Sequence, residues 1–502
     1  MHLKEKKQSL VTLNGQHLTL AEAELIARGA RIKISSATKV KIEKSAKLVS
    51  RCAQQATPVY GVNTGFGYFA SHKISEDELK VLQINLIKSH AAGFGKTLSI
   101  AETRLAMALR LNVLIKGYTG VRYQLCQALL KLIQAGIYPL IPEFGSVGAS
   151  GDLAPLAHLA LPLVGLGDVH YQGAVTTAEY ALACANLKPI ELSYKEGLGL
   201  INGTQIMLAV GALALIEAQK VIQKANRITA LTYEGLCGNT DALDPLLHQV
   251  RGQLGQIEVA QKIREELKGS ALWNKKKRKS KIQDPYSLRC APQVHGPSQE
   301  AIAYAVQVVE RELNAATDNP LVFSEKGQIL SGGNFHGQPL ALAYDFAAMA
   351  VSEIANISER RLEVLLNPHL SGLPPFLTPY EGTHSGYMAA QYLSASLVNQ
   401  GKLLANPACT DSIPGNVGVE DHVSMGMTSA RKLRELVQNT SVVLAVELLA
   451  AAQAIDLRKR THDLGEGTQR TYLALRKRVP VLIEDRIVAE DVQRALEVFN
   501  DL

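Results

Sequence analysis

The sequence predicts a mainly α-helical protein built around long, buried helices. Aromatic residues make up only 5% of the chain while alanine and leucine are abundant, a balance that favours helix over strand. Apolar residues also recur at helical spacing through several segments that are much longer than an average helix. A hydrophobic content of 47% over 502 residues is enough for a large core, and the length predicts more than one domain.

The N-terminal region is predicted to hold a small β-hairpin, followed by short helices and loops. Leu10–Leu13 and Gln16–Leu20 flank Asn14-Gly15, a dipeptide that is typical of two-residue hairpin turns. Further along, three glycines in the run YGVNTGFG, residues 60–67, predict a loop, because such a density of glycine opposes helix formation.

Helical periodicity begins at Ala101 and continues to Gly136, and a glycine-rich loop is predicted from Pro142 to Gly151. Long helices are then predicted in five segments: Thr204–Leu236, Gln299–Thr317, Leu340–Leu366, Gly386–Leu404 and His422–Arg458. Apolar residues lie around most of the circumference of these segments. We therefore expect them to be buried in a helix bundle or in an interface between subunits.

Charge and cysteine content exclude several classes of function. A net charge of +7 is small for this length and does not indicate nucleic-acid binding, and the basic run Lys275–Lys281 is interpreted as a solvated loop. The six cysteines form no CxxC pair, which fits a reducing cytoplasm and gives no support for a metal site. The charged N-terminus predicts no signal peptide, and Ser441–Ile455 is too short and polar to span a membrane.

The sharpest motif is GSVGASGDLAPLAHLAL, which runs from Gly145 to Leu161. A structural interpretation is a tight turn before a helix, with Asp152 as its N-cap and Pro155 in its first turn. That interpretation explains the aspartate and one glycine. It does not explain why small residues surround Ser150 on both sides.

A chemical interpretation accounts for the small residues. If a backbone nitrogen is to attack a carbonyl carbon two residues earlier, the chain must fold on itself with almost no side-chain bulk. Gly151 offers an unhindered nitrogen, Ala149 the carbonyl, and Ser150 a hydroxyl that can leave as water. The product is a methylidene-imidazolone, an electrophile that no ordinary side chain provides. The whole run resembles the histidine and phenylalanine ammonia-lyase family, which forms its cofactor from this Ala-Ser-Gly.

Other motifs match the same family in the same order. By this resemblance, Tyr60 of YGVNTGFG is the base that removes the β-proton of the substrate, which requires a pKa below the usual ~10 of a phenol. His90 of KSHAAG contacts the substrate side chain, and the Ser-His pair resembles the histidine-specific type. Asn202 of INGTQ supports the cofactor, together with Asp152. Each of these, taken alone, is also explained by packing or helix capping.

The later motifs complete the predicted site. The resemblance implies that Arg289 of QDPYSLRCAPQ holds the substrate carboxylate, since a guanidinium binds a carboxylate through two parallel hydrogen bonds. In the same motif Gln283 binds substrate and Tyr286 takes part in catalysis. Phe335 of GGNFHG supports the cofactor loop. Glu420 of VEDHVSMG faces the imidazole of histidine and completes the catalytic set, where phenylalanine-type enzymes usually carry glutamine.

The resemblance implies a fumarase/aspartase-like long-helix bundle in which residues 1–205 contain the cofactor loop and residues 206–502 form the long-helix domain. It further implies a cytoplasmic homotetramer with shared active sites, which takes a small amino acid and needs no metal, nucleotide, nucleic acid or membrane. The expected reaction converts L-histidine to trans-urocanate and ammonia.

Three departures from the histidine-type pattern, Gln338, His295 and the GVED segment, leave alternatives open. One is a lyase that acts on an aromatic amino acid, or a 2,3-aminomutase that returns ammonia to the β-carbon. Glu420 argues against an aromatic substrate, because a buried carboxylate against an apolar ring has no partner. The other alternative is a catalytically inactive homologue.

Overall fold

The structure is a computed structural model and describes residues 9–274 and 282–502. The basic run Lys275–Lys281 lies outside the described residues. The helices up to Ile201, numbered α1 to α8, are Leu20–Ala27, Lys39–Ala53, Glu76–His90, Ile100–Leu114, Tyr123–Ala135, Leu153–Ala160, Ala178–Cys184 and Glu196–Ile201. The later helices, α9 to α19, are Gln205–Leu236, Pro245–Arg251, Leu254–Glu266, Tyr286–Arg289, Ala291–Glu312, Gln338–Leu366, Pro368–Ser371, Met388–Ala405, Gly426–Leu457, Glu466–Arg476 and Val488–Asp501.

The β-structure of the described residues is limited to short strands. These strands, β1 to β9, are Leu10–Leu13, Arg31–Ile34, Phe94–Thr97, Tyr138–Pro139, Pro142–Phe144, Asp168–Tyr171, Ala174–Thr177, Leu321–Phe323 and Gln328–Leu330. β1 and β2 pair in parallel, whereas β3 with β5, β4 with β6, β6 with β7, and β8 with β9 pair antiparallel. The mainly α prediction is therefore confirmed.

The hairpin predicted at Asn14-Gly15 is wrong. β1 pairs in parallel with β2, and α1 lies between the two strands in the chain. The Asn14 side chain accepts hydrogen bonds from two backbone N–H groups that follow it, and the Gly15 N–H donates to Asn112 Oδ1 at 3.0 Å. The Thr19 side chain then caps α1. The segment expected to form a returning strand therefore leads into a helix, because a distant asparagine and a capping box determine its conformation.

The five predicted long helices are confirmed, with bounds that differ by at most four residues in four of them and by more in the fifth. α13 begins at Ala291 rather than Gln299 and ends at Glu312 rather than Thr317. It includes Gly296 and Pro297, two residues that usually interrupt a helix. A Cβ atom on Gly296 would lie 2.4 Å from the backbone nitrogen of Gln256, so the glycine allows α11 to pack closely against α13. Tertiary packing thus outweighs the local preference against helix.

Two compact units make up the fold, and each is assembled from three stretches of chain. The described part of the first unit contains residues 9–213, 306–344 and 407–431, and it includes all nine strands of the described residues. The second unit consists of residues 214–305, 345–406 and 432–502 and is helical in its described part. The division predicted between residues 205 and 206 stays a prediction.

Among the described residues, three helices, α9, α14 and α17, are long and apolar enough to cross a membrane when only length and composition are considered. In this fold, however, 72–78% of their most apolar stretches is buried inside the protein. Ser441–Ile455, which the sequence predicts to be a buried helix, lies within α17. Packing within the protein accounts for the apolar character of these helices.

Candidate active site

The loop from Gly145 to Gly151 is bent into a conformation that only small residues allow. Ser150 lies at φ +49°, and Gly148 and Gly151 lie at +84° and +79°. A Cβ atom on Gly151 would come within 2.1 Å of the Gly203 carbonyl oxygen, and one on Gly148 would come equally close to the Ser424 hydroxyl. Larger residues are therefore excluded on sterics at both positions.

The loop is anchored to the segment between α8 and α9. The Asp152 N–H donates to the Gly203 carbonyl at 2.7 Å, and the Gly203 N–H donates to the Ser150 carbonyl at 3.2 Å. Within the loop, the Gly151 N–H donates to the Gly148 carbonyl at 3.3 Å. The tripeptide Ala149-Ser150-Gly151 is thus held at a sharp turn with no bulky side chain between its two ends. This geometry fits the cyclisation that the sequence predicts.

Asp152 is fully buried and caps a helix other than its own. It precedes α6, but its side chain makes no capping hydrogen bond there. Its Oδ2 instead accepts hydrogen bonds from the backbone N–H groups of Ile206 and Met207, both 2.9 Å long, at the start of α9. Burial raises the pKa of Asp152 to about 7, against the effect of these donors and of the Ser146 hydroxyl. Asp152 therefore joins the loop to α9.

Asn202 is buried and belongs to a charged network. Its amide nitrogen donates to Asp318 Oδ1 at 3.2 Å and to the Asn319 carbonyl at 2.9 Å, so it does not cap α9. Asp318 also pairs with Lys195 at 2.7 Å, and both of these side chains are completely buried. Burial lowers the pKa of Lys195, and Asp318 opposes that shift. Asn202 therefore links the segment before α9 to Asp318 and Asn319, and it does not line the cavity.

Arg110 supports the segment around Asn202 from the buried side of the fold. It is fully buried on α4, and it donates hydrogen bonds to the carbonyls of Asn202 at 2.8 Å and Gly199 at 2.5 Å. Arg110, Lys195 and Asp318 support this region, and the motifs did not predict them. For Arg110 the available signal was a charge within an apolar helical run, since a buried charge requires a partner.

A cavity of about 670 Å³ opens over Ser150. It brings together four of the residues that the sequence predicted for the site: Tyr60, His90, Ser150 and Glu420. The remaining lining combines apolar side chains such as Leu86 and Ile201 with the amides of Asn85 and Asn416. Its volume lies in the range of small-molecule sites.

The contacts of His90 favour one tautomer of its ring. Its Nδ1 lies 2.9 Å from the Leu86 carbonyl oxygen and 3.1 Å from the Ser89 hydroxyl. A carbonyl oxygen only accepts, so a hydrogen bond to it requires a proton on Nδ1. In the neutral ring Nε2 is then an acceptor, and His90 can receive a hydrogen bond from an N–H group of a ligand.

The Tyr60 hydroxyl accepts a hydrogen bond of 3.4 Å from the Gly67 N–H. Burial raises the pKa of Tyr60, the Gly67 contact lowers it, and the nearby Glu420 raises it further. The net direction is upward, which is opposite to the lowered pKa that the role of base requires. A nearby positive charge, or further hydrogen-bond donors to the phenol oxygen, would lower the pKa of Tyr60.

Eight of the twelve predicted site residues do not line the cavity. Four of them, Ala149, Gly151, Asp152 and Asn202, lie beside Ser150 or in the segment that anchors its loop, and the other four are Gln283, Tyr286, Arg289 and Phe335. Gln283, Tyr286 and Arg289 belong to the second unit, where Tyr286 is 71% exposed and lines a separate cavity of about 900 Å³. The Arg289 guanidinium lies 4.4 Å from the centre of the Tyr286 ring, and its Nε donates to the Asp284 carbonyl. Phe335 is half-buried in the first unit.

No group of three or more histidine, cysteine, aspartate or glutamate side chains that could hold a metal ion occurs within residues 9–274 and 282–502.

A family model, related sequences and solved structures all indicate the same family of proteins. The chain matches the aromatic amino acid lyase family over residues 18–477. Histidine ammonia-lyase of Alkaliphilus metalliredigens is 48% identical over 492 residues, which cover 98% of this chain and 97% of that protein. The crystal structure of histidine ammonia-lyase from Trypanosoma cruzi is similar with a TM-score of 0.90 and 40% identity, covering 98% of this chain and 93% of that one. Tyrosine aminomutase from Streptomyces globisporus gives a TM-score of 0.93 and 37% identity, covering 98% and 97%.

Proposed function

The chain belongs to the aromatic amino acid lyase family, and we propose that it converts L-histidine to trans-urocanate and ammonia. The observation that carries this proposal is the cavity in which His90 and Glu420 accompany Ser150 and Tyr60. A hydrogen-bond acceptor and a carboxylate suit a side chain with two N–H groups, such as the protonated imidazole of histidine. The relatives named histidine ammonia-lyase support the same substrate.

The proposed cofactor is a methylidene-imidazolone formed from Ala149, Ser150 and Gly151. The residues present fit it, because the loop turns sharply at Ser150 and a Cβ on Gly151 would meet the Gly203 carbonyl. When formed, the group supplies an electron-accepting methylidene carbon that helps the amine to leave or the β-proton to become acidic. Asp152 ties the loop to the start of α9, and Gly203, the neighbour of Asn202, donates a hydrogen bond to the Ser150 carbonyl. No metal or nucleotide is part of the proposal.

Tyr60 is proposed to remove the β-proton of the substrate. Loss of this proton and departure of the amine as ammonia leave the α,β double bond of urocanate. The step requires a phenolate, while burial and Glu420 raise the pKa of Tyr60. A neighbouring cation lowers a phenol pKa, and Arg289, which binds the substrate carboxylate in this proposal, is the cation that the sequence offers.

We propose a homotetramer whose sites are shared, so that other copies supply Gln283, Tyr286, Arg289 and Phe335. Two observations support it. None of these four residues lines the cavity of its own chain, and Tyr286 is largely exposed. The long helix α14 also exposes large apolar side chains, Phe346 at 44% and Met349 at 41%, which a partner subunit would cover. We also propose that the protein is a soluble enzyme of the cytoplasm.

A second candidate function is deamination or 2,3-amino migration on an aromatic amino acid. Similarity to tyrosine aminomutase, at 37% identity over nearly the whole chain, favours it. It would leave the Glu420 carboxylate opposite a ring without a cationic group, at a cost in desolvation.

The deciding experiment mixes purified protein with L-histidine, L-phenylalanine or L-tyrosine in parallel reactions. Product formation is followed by ultraviolet absorbance, and each product is identified by mass spectrometry. Urocanate from histidine alone establishes the proposed function. A cinnamate or a β-amino acid from an aromatic substrate overturns it in favour of the second candidate. No product from any of them, together with an intact mass lacking the loss of two water molecules, indicates an inactive protein.

A further inference from the structure

Asn416 joins the two loops that contain Tyr60 and Glu420. Its Oδ1 accepts a hydrogen bond from the Tyr68 N–H at 3.4 Å, and its Nδ2 donates to Glu420 Oε1 at 3.3 Å. The side chain lines the active-site cavity. We propose that Asn416 is a positioning residue, which aims the Glu420 carboxylate at the substrate side chain and fixes it relative to Tyr60. The inference rests on the proposed function, in which Glu420 faces the substrate.

Gly67 makes this contact possible. A Cβ atom on Gly67 would lie 2.1 Å from Asn416 Nδ2, and Gly67 itself has φ +53°. The N–H of the same glycine donates to the Tyr60 hydroxyl. The amide of Asn416 therefore occupies the space beside the residue that contacts the proposed base, and a shift of Asn416 changes the surroundings of Tyr60 and Glu420 together.

The backbone around Asn416 adopts a strained conformation that supports the orientation of the Glu420 carboxylate. Asn416 and Val417 lie at φ +48° and +54°, a region that asparagine tolerates and valine rarely adopts. The turn is closed because the Gly415 N–H donates to the Glu420 carbonyl at 2.9 Å, and the Glu420 N–H donates back at 3.4 Å. Consecutive residues in such conformations persist only where surrounding contacts enforce them, and they cluster at functional sites.

An amide is the chemically appropriate group for this task. It donates to one carboxylate oxygen of Glu420 without adding a positive charge, so the second oxygen and the full negative charge remain available to the substrate. A lysine or arginine would neutralise the carboxylate, and an aspartate would repel it. Serine offers a single hydroxyl on a shorter side chain, whereas the amide reaches both the Tyr68 N–H and Glu420.

The test compares Asn416→Gly and Asn416→Asp with matched changes at Asn186, an exposed asparagine at φ +53° that lies outside the lining of this cavity. Glycine keeps the backbone conformation and removes both hydrogen bonds, whereas aspartate keeps the acceptor and loses the donor. Each Asn416 variant is expected to lower kcat/KM for histidine roughly tenfold to a hundredfold, the factor for loss of one hydrogen bond to a charged group. The loss of two waters should persist, and the Asn186 variants should match the wild type.

A double-mutant cycle with Glu420→Gln shows whether Asn416 acts through Glu420. In the wild-type background, which retains the carboxylate, the Asn416→Gly effect should be full. In the Glu420→Gln background it should largely disappear. Equal effects in the two backgrounds, or kcat/KM changes that merely follow a lower thermal midpoint, would overturn the proposal.

Failure of the Asn416 proposal can be distinguished from failure of the proposed function. If the wild type deaminates another amino acid, the histidine assignment fails and the same cycle is measured with that amino acid. If it deaminates none, amide hydrogen exchange decides: residues 65–69 and 415–420 should exchange at least about tenfold faster in Asn416→Gly than in the wild type. Unchanged exchange in either segment would contradict the joining role of Asn416.

Discussion

Replacement of Ser150 by alanine and by glycine should separate the chemistry of the cofactor loop from its stability. Neither variant has a hydroxyl to lose as water, so both should lack turnover and retain their full mass. Ser150 lies at φ +49°, where a residue with a Cβ atom is disfavoured by about 1–2 kcal/mol and glycine is not. Glycine loses more chain entropy on folding, about 0.4–1 kcal/mol. The Gly variant should therefore be more stable than the Ala variant by about 1 kcal/mol.

The assay combines three measurements on the two purified variants: intact mass, urocanate absorbance, and the urea midpoint of unfolding at equal protein concentration. Comparison of two variants that cannot cyclise avoids the covalent difference from the mature wild type. Turnover by the Ala variant would refute the proposed origin of the cofactor. An Ala variant at least as stable as the Gly variant would refute the argument that the loop stores strain at Ser150.

Three further predictions concern Tyr60, Asp152 and Lys195. Tyr60→Phe should lower kcat by roughly 10²–10⁴ while the loss of two waters is retained; a decrease below tenfold in single-turnover kinetics would exclude Tyr60 as the base. Burial raises the pKa of Asp152 from 3.8 to about 7, so its contribution to stability is full below pH 3.8 and is lost as the pH rises through 7. Asp152→Asn should remove that part of the pH dependence of the urea midpoint, and equal slopes in the two proteins would contradict this. Lys195→Met leaves the buried Asp318 unpaired and should destabilise the fold by about 3–5 kcal/mol, whereas Lys44→Met, which breaks an exposed pair, should cost less than about 1 kcal/mol in the same titration.

Much of the fold could be predicted from local patterns. Apolar residues around most of the circumference of α9, α14 and α17 favour burial whatever surrounds them, and the structure buries most of their apolar stretches. The hairpin at Asn14-Gly15 could not be excluded in this way. A turn dipeptide states a local preference, while the observed conformation depends on Asn112, which lies 97 residues away from Gly15.

The candidate site, like the fold, could be predicted only in part from the sequence. The sequence placed Tyr60, His90, Ser150 and Glu420 in one site by their motifs, and the cavity brings these four together. The sequence gave no indication of Asn416, because its hydrogen bond to Tyr68 joins residues that lie 348 positions apart in the chain. The roles assigned to Tyr286 and Arg289 stay predictions, since both belong to the second unit and neither is among the residues that line the cavity.

By itself the sequence determined the composition of the loop around Ser150 and the approximate length of the helices, because steric size and apolar periodicity are properties of neighbouring residues. Only the tertiary structure decided which helix Asp152 caps, which partner neutralises Lys195, and in which direction the pKa of Tyr60 moves. Those outcomes depend on desolvation and on charges from distant segments. Such quantities arise only when the chain has folded and excluded water from the site.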